Sequence, residues 1–266
     1  MSWQVVGASV IGTSHQEAAT PCQDAHQYRL LESGEVILAV ADGAGTAARS
    51  AEGAALAVKR AVDALEQACR ENKPASDEAW SLCMRQCFGL ARQAIADLAA
   101  QDGSPIRLFA TTLTCAVLAE TRIVLGQIGD GFAVAQDGHG TLLGLTTPQR
   151  GEYANEAAFL TMPQALDCID VTTQALNAKA VALATDGLLR LALKLPGYTP
   201  HPPFFIPLFA FAAGVTDAAS AGQQLADFLA SDRVCARTDD DKTLVLAASV
   251  GPSDTPPSLS IGQGGA

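Results

Sequence analysis

The 266-residue sequence is poor in aromatic residues and in positive charge. Aromatic side chains make up 5% of it, and 17 lysines and arginines stand against 28 aspartates and glutamates, a formal net charge of −11 at pH 7. A field of that sign repels the phosphates of nucleic acids and of anionic membranes, which argues against a nucleic-acid binder or a membrane-surface protein. With 48% hydrophobic residues, the composition is typical of a globular protein with an aliphatic core.

Long hydrophobic runs and cysteine motifs are missing as well. The most apolar run, 204–213, is about half the ~20 residues that a membrane-spanning helix needs. The first residues lack the charged and apolar regions of a secretion signal, so we expect a cytoplasmic protein. Seven cysteines occur without a CxxC pair. Cys83 and Cys87 share a helix face but lack further zinc ligands nearby, which favours free, buried thiols in a reducing compartment.

The order of predicted elements indicates an α+β protein. Adjacent strands favour antiparallel pairing, with a hairpin at 137–140, and the long helices come in pairs, with Ser76 as the N-cap of the second. We treat 1–250 as one domain and expect a disordered tail at 251–266. Periodicity predicts strands at 4–11, 28–31, 35–41, 110–119, 121–128, 131–136, 141–145, 168–174, 180–185 and 243–250, and helices at 50–70, 77–101, 187–194 and 217–231.

Aspartates recur at the ends of the predicted strands. Asp42, Asp130 and Asp186 each follow an apolar strand and precede a glycine, and the run 239–241 directly precedes the last strand. Asp24 is a fifth carboxylate, placed before an early strand. Carboxylates gathered in one place repel one another unless a cation lies among them, and oxygen ligands alone suit Mg²⁺ or Mn²⁺. Two such ions can activate water and bind a phosphoryl oxygen. Any single Asp–Gly pair is also compatible with an ordinary turn.

Other catalytic patterns are weaker. The glycine-rich segment 43–50 lacks the lysine of a phosphate-binding P-loop, and GxSxG is absent from the sequence. The proline- and phenylalanine-rich stretch 195–216 is interpreted as a loop and short helix over a sheet edge, or as an apolar patch that docks a substrate protein.

Taken together, the segments with these aspartates resemble the metal-dependent type-2C protein phosphatases, in particular the compact bacterial branch. The resemblance covers about 4–250, and the order and spacing of the motifs make it specific. It is carried by GTSHQEAATPCQDAH (12–26), VADGAGTAARSAEGA (40–54), GQIGDGFAVAQDG (126–138), GEYANEAAFLT (151–161), LATDGLLRL (183–191) and RTDDDKTLVLA (237–247).

The resemblance implies a fold and a reaction. The fold is a four-layer α-β-β-α sandwich, with two central antiparallel sheets flanked by helix pairs. The reaction is hydrolysis of phosphoserine or phosphothreonine by a metal-activated bridging water, with two ions, and in some members a third, of Mn²⁺ or Mg²⁺. The partner is a phosphoprotein made by a Ser/Thr kinase, without nucleic acid or membrane, and the chain is expected to be a monomer.

Site residues follow from the same motifs. The pattern makes Asp42 the carboxylate that bridges two metals, and gives the second metal the carbonyl of Gly43. Asp186 and Asp240 hold the first metal, with Asp240 chosen because Thr243 then falls at the motif's threonine. Asp24 acts through a metal-bound water. Asp130 falls where some members bind a third metal, although the Ser-Arg that follows it in the family is Gly-Phe here.

Two family positions are changed. The arginine that grips the phosphate in many members is Ala19 here, and a histidine that serves some members as general acid is Ala44. His15 and Arg49 are alternative phosphate-binding candidates, Arg49 because it begins a helix. These changes leave open a degenerate phosphatase-like module that binds or senses phosphoproteins. A metal-dependent hydrolase of small phosphoesters is a further alternative.

Overall fold

Two five-stranded antiparallel sheets lie face to face between two helical layers in the computed structural model, which describes residues 2–119, 121–149 and 158–250. The strands are β1 (Ser2–Val10), β2 (Ala25–Leu30), β3 (Val36–Ala41), β4 (Leu113–Ala119), β5 (Arg122–Ile128), β6 (Phe132–Asp137), β7 (Leu142–Gly144), β8 (Asp170–Ala175), β9 (Ala178–Ala184), β10 (Leu193–Lys194), β11 (Thr199–Pro200) and β12 (Lys242–Val250). The helices are α1 (Thr13–Glu17), α2 (Ser50–Asn72), α3 (Asp77–Gln101), α4 (Leu189–Ala192), α5 (Pro202–Ala213), α6 (Ala218–Leu229) and α7 (Asp232–Cys235), with 3-10 turns at 106–109, 165–168 and 186–188.

The sheet orders confirm the α+β four-layer expectation. One sheet runs β1-β12-β9-β6-β7 and the other β2-β3-β4-β5-β8, and β10 and β11 form a separate hairpin. Apolar side chains of both sheets fill the space between them, among them Leu38, Leu125 and Val181. α2 and α3 cover the outer face of the second sheet, and α5 and α6 cover that of the first. Each sheet is therefore buried on two sides.

The paired helices follow the sequence prediction closely. α3 has the predicted ends, and the Ser76 side chain accepts a hydrogen bond from the Ala79 N–H at 3.2 Å, which satisfies one of the unpaired N–H groups of the first turn. Buried alanines of α2 such as Ala57 and Ala61 let the helix lie close to its neighbours. The predicted hairpin is also present, because β6 and β7 pair and Asp137 Oδ1 accepts from the His139 and Thr141 N–H groups.

The stretch 195–216 contains the expected helix but differs from its prediction in where it packs. It forms the three-turn helix α5, which packs on the face of the β1–β12 sheet and not over a sheet edge. Prolines at the start of a helix cost little because the first N–H groups have no partner in the helix. The buried side chains of Phe205 and Phe209 favour the helix despite Pro207 in its interior. The predicted tail and most of the motif at 151–161 lie outside the described residues.

All seven cysteines are free thiols, as expected, although only some are buried. Cys69, Cys87 and Cys115 are buried, and Cys168 is exposed. The Cys87 thiol donates to the carbonyl of Ala61 at 3.4 Å, so it takes part in the packing between α3 and α2. Within the described ranges, none of the helices has the length and hydropathy needed to cross a membrane.

Candidate active site and metal centre

Antiparallel pairing brings the aspartate-bearing strand ends together. In one sheet Ala184, near the end of β9, pairs both with Leu244 at the start of β12 and with Phe132 at the start of β6. Asp186, Asp240 and Asp130 therefore lie at the same end of that sheet. In the other sheet Ala25 pairs with Ala41, which places Asp24 beside Asp42.

Three of these carboxylates form a close group. One side-chain oxygen each from Asp42, Asp130 and Asp186 lies within 4.8 Å of the other two. Asp24 and Asp240 are near enough for their charges to act on Asp42 and Asp186. The structure thus brings the aspartates singled out from the sequence near one another, with Asp130 in the group of Asp42 and Asp186.

The cluster is electrostatically unfavourable without a cation. Burial, and then the charges of Asp24 and Asp186, raise the pKa of Asp42 well above its usual value. Burial raises the pKa of Asp24 to about 8, although hydrogen bonds from Thr185 and Thr243 oppose the shift. Burial and the charge of Asp186 also raise the pKa of Asp240. The fold holds these groups where a proton or a metal ion is needed to offset their repulsion.

The run 239–241 divides its side chains between two tasks. Asp241 is buried, and its two oxygens accept hydrogen bonds from the N–H groups of Gly12 and Gln23, both at 2.6 Å. Asp240 Oδ1 accepts from the Asp241 N–H at 2.8 Å, and its charge acts on Asp186 and Asp42. Sequence reasoning missed the structural task of Asp241. The contact joins residues far apart in the chain, so the sequence offered no signal for it.

His15 stands between Asp241 and the turn that follows β3. Its Nδ1 lies 2.9 Å from Asp241 Oδ1. Its Nε2 lies on the side of Gly45, where a Cβ built on that glycine would be 3.9 Å away. The ring therefore lies against a buried carboxylate beside the segment that carries Asp42, although the contact lacks the geometry of a hydrogen bond.

Two threonines support the cluster and were not singled out from the sequence as site residues. The Thr185 hydroxyl donates to Asp24 Oδ2 at 2.7 Å and accepts from the Thr243 N–H at 3.0 Å. The pair links Asp24, at the start of the second sheet, to β12 in the first. Buried hydroxyl groups need a hydrogen-bond partner, and here the partner lies 161 residues away in the chain.

Two glycines beside the aspartates are required by close packing. A Cβ at Gly187 would lie 1.9 Å from the carbonyl oxygen of Asp241, and one at Gly43 would lie 2.7 Å from that of Gln23. The Gly43 N–H also donates to the Gln23 carbonyl at 3.1 Å. These Asp–Gly pairs are thus points where backbone segments of the site touch.

Arg49 makes other contacts. Its guanidinium donates two hydrogen bonds to Glu52 and one to Asp102, at 2.6–2.7 Å, and its carbon Cζ lies 4.2 Å from the centre of the Phe109 ring. These contacts fix the start of α2 and use several of its donors. Its role in phosphate binding stays a prediction.

Comparison with known proteins identifies the fold and the family. A family model described as protein phosphatase 2C matches residues 11–230. The chain belongs to the protein phosphatase 2C family. It is 38% identical over 253 residues to serine/threonine-protein phosphatase 3 of Escherichia coli (strain K12), with 93% of this chain and 98% of that protein covered. The chain is accordingly a serine/threonine protein phosphatase, a hydrolase.

Solved structures show the same fold at lower identity. The phosphatase matches serine/threonine phosphatase Stp1 from Staphylococcus aureus with a TM-score of 0.61 at 16% identity, covering 94% of this chain and 96% of that one. It matches the catalytic domain of the phosphatase PstP, crystallised with two manganese ions, with a TM-score of 0.57 at 19% identity, covering 94% and 99%. The four-layer arrangement of the phosphatase is therefore shared with both.

Proposed function

We propose that the phosphatase hydrolyses phosphoserine and phosphothreonine esters with two divalent cations, Mn²⁺ or Mg²⁺. The ligands are Asp42, Asp186, Asp240 and the carbonyl of Gly43. The observation that carries the proposal is the approach of the Asp42, Asp130 and Asp186 oxygens to within 4.8 Å of one another. The position of Asp130 suits it to a third ion.

The chemistry of the donors fits a hard divalent cation. The cluster offers carboxylate oxygens, the ligand type that Mg²⁺ and Mn²⁺ prefer. Within the described residues, Asp42 and Asp186 form no ion pair with a lysine or arginine, so their charge is not neutralised from that source. The raised pKa of Asp42 is the repulsion that a cation would remove. The two manganese ions of the PstP structure support the same stoichiometry here.

The protein's own side chains then have separate tasks. Bound cations would supply an activated water and would compensate the charge of the phosphoryl oxygens. Asp42, on whose pKa the charges of Asp24, Asp186 and Asp240 all act, would contribute a ligand to both ions. Asp24, held by the Thr185 hydroxyl at 2.7 Å, positions water at the edge of the site. No nucleophilic cysteine or serine is needed by this scheme.

His15 is our candidate for the phosphate contact that Ala19 cannot make. Asp241 lies 2.9 Å from its Nδ1 and so leaves Nε2 directed to the side of Gly45. An imidazolium in this place would donate from Nε2 to a phosphate oxygen. Arg49 is the weaker candidate because its guanidinium already binds Glu52 and Asp102.

The substrate is proposed to be a phosphoprotein produced by a Ser/Thr kinase, and the phosphatase to act as a monomer. The family membership supports the first part. Phosphatase 3 of Escherichia coli, which is named for serine and threonine, supports the choice of residues. Light scattering of the purified protein would measure its mass in solution.

The test is phosphate release from a phosphothreonine peptide, first in EDTA and then with Mn²⁺ added. We expect Mn²⁺-dependent release, reduced more than about a hundredfold in Asp42→Asn because a bridging ligand is lost. Calorimetric titration with Mn²⁺ should show weaker binding by the same variant. His15→Gln should raise KM for the peptide while it leaves Mn²⁺ affinity unchanged.

The matched control is Asp97→Asn, an exposed aspartate of α3 whose partner is the Gln93 amide. It should retain full activity. Full activity of Asp42→Asn would rule out the proposed metal site. Rapid hydrolysis of p-nitrophenyl phosphate with no turnover of phosphopeptides would instead favour a hydrolase of small phosphoesters.

A further inference from the structure

A cavity of about 550 Å³ lies between α4, α5, α6 and α7. It opens on the outer side of the β1–β12 sheet, and none of Asp24, Asp42, Asp130, Asp186 and Asp240 lines it. Cavities of roughly 300–1,000 Å³ are the usual size for small-molecule ligands. We refer to it as the α5–α6 cavity. Its two kinds of lining residue indicate what it can bind.

The floor of the α5–α6 cavity is aromatic. Phe204, Phe211 and Phe228 line it together with leucines. The Phe204 and Phe228 rings lie 6.5 Å apart, centre to centre, and are inclined by 50°. Phe211 and Phe228 are half-buried, so part of their surface faces the cavity. Such surfaces favour a flat ring, which can stack or make edge contacts with them.

The rim of the cavity is positively charged. Arg190, Arg233 and Arg237 line it and are exposed. In the described chain these three form no ion pair, whereas Arg29 and Arg49 each bind acidic partners. None of the described residues that line the cavity is acidic. In a protein with a net charge of −11, three unpaired arginines at one opening are complementary to an anion.

A buried polar atom also faces no protein partner. His201, which lines the cavity, has an Nδ1 atom that is buried and makes no hydrogen bond with any described residue. An unpaired buried nitrogen costs free energy unless a ligand or water meets it. The cavity therefore combines an aromatic floor and a cationic rim, and a histidine with an unpaired ring nitrogen is among its lining residues.

We propose that the α5–α6 cavity is a binding site for a small aromatic anion, a planar ring that carries a carboxylate or a phosphate. The ring packs on the phenylalanines and the anionic group meets the arginines. This site is distinct from the carboxylate cluster and does not depend on its metal ions. The segments that carry Arg190 and Arg237 continue directly to Asp186 and Asp240.

The experiment is calorimetric titration of the full chain, with Mn²⁺ present, with 2-naphthoate as the probe. Naphthalene-2-methanol, 2-naphthylmethylammonium and decanoate serve as neutral, cationic and acyl controls. We expect saturable binding of 2-naphthoate and binding at least about tenfold weaker for each control. The same affinity in Asp42→Asn would show that the probe is not held by the metal site.

Variants locate the binding. Arg233→Gln/Arg237→Gln should weaken 2-naphthoate binding about tenfold or more, and Phe211→Ala about threefold or more. Because the two arginines are exposed and unpaired, we expect the double variant to fold, and thermal melting checks this. Arg60→Gln/Arg85→Gln, which changes two exposed arginines of α2 and α3, is the matched control and should bind normally.

Three results would overturn the proposal. The first is equal affinity for 2-naphthoate and its neutral or cationic analogue, and the second is unchanged affinity in the arginine double variant. The third is binding of a hexapeptide of alternating aspartate and phenylalanine without binding of 2-naphthoate. That result would instead make the cavity a docking site for an acidic protein segment.

Discussion

The α2–α3 layer and the carboxylate cluster treat charge in opposite ways. On α2, Lys59 and Asp63 pair at 2.7 Å, and Arg70 and Glu66 at 2.8 Å, all at or near the surface. At the sheet ends, carboxylates of one sign are collected and partly buried. Exposed pairs contribute little to stability, roughly 0–1 kcal/mol each. Like charges held together without a cation reduce it, which indicates that the cluster is kept for chemistry.

Local and tertiary preferences agree throughout the helical layer. α3 begins at a capping serine and buries Trp80, Met84 and Phe88 against α2 and the sheet. In the cluster, close packing and charge both oppose the arrangement, and Gly187 and Gly43 are needed to let backbone segments touch. The α2–α3 layer therefore stabilises the fold, whereas the carboxylate cluster destabilises it in the absence of a cation. Three predictions test this division.

The largest effect is expected from Trp80→Ala in the helical layer. The side chain is 1% exposed, and its removal should lower the free energy of unfolding by about 3–5 kcal/mol. Urea denaturation at saturating Mn²⁺ measures it. Activity per folded molecule should stay unchanged. Leu82→Ala, at an exposed position of the same helix, should change stability by less than about 0.5 kcal/mol. A loss of specific activity in Trp80→Ala would break the division between the regions.

The second prediction concerns pH and the metal-free protein. Acids whose pKa is raised by folding, such as Asp24 at about 8 and Asp42, stabilise the folded state at low pH. That contribution is complete below the unfolded pKa near 4 and is lost as pH rises through the folded pKa. In EDTA, stability from this cluster should fall between pH 5 and 8, by up to about 1.4 kcal/mol per pH unit for each such group.

Urea denaturation at intervals between pH 5 and 8 measures that slope. Asp42→Asn should flatten it, and Asp97→Asn should not. Saturating Mn²⁺ should remove or reverse it, because cations bind the deprotonated carboxylates. A metal-free protein that gains stability steadily up to pH 8 would contradict the assignment of repulsion to the cluster.

The smallest effect comes from one substitution made in each region. A Cβ at Gly187 would lie 1.9 Å from the Asp241 carbonyl oxygen, so Gly187→Ala should cost about 1–3 kcal/mol and reduce activity more than tenfold. At Gly89 in α3 nothing lies within 4 Å, so Gly89→Ala should stabilise by about 0.5–1 kcal/mol. Thermal melting and phosphatase assays of both variants measure these effects. A change in stability of the same sign in Gly187→Ala and Gly89→Ala would contradict the difference expected between the two regions.

Much of the fold could be predicted from local patterns. The ends of α3 follow from the Ser76 cap and a long amphipathic run, and β3 from six successive apolar residues. The short helix expected within 195–216 is present as α5, but it lies on the face of the sheet and not over an edge. Burial of its phenylalanines on the sheet, a tertiary effect, decided this placement.

The site was predicted in part. Asp42, Asp130 and Asp186 follow from their positions at strand ends, since antiparallel neighbours bring those ends to one edge. The buried position of Asp241 and the Thr185 bridge depend on contacts across more than 150 residues, which spacing along the chain does not encode. The α5–α6 cavity is lined by residues of four helices, so no single sequence motif predicts it.

The hydrogen bond from the Gly12 N–H to the Asp241 carboxylate has a consequence for folding during synthesis. The carboxylate joins residues 229 positions apart, and β12, which follows it, is inserted between β1 and β9. A chain emerging from the ribosome therefore exposes the first acidic motifs long before the last strand is available to complete the sheet. The catalytic cluster can assemble only after nearly all the described chain has been synthesised. A nascent chain that ends before Asp240 therefore lacks one of the proposed metal ligands and an inner strand of one sheet.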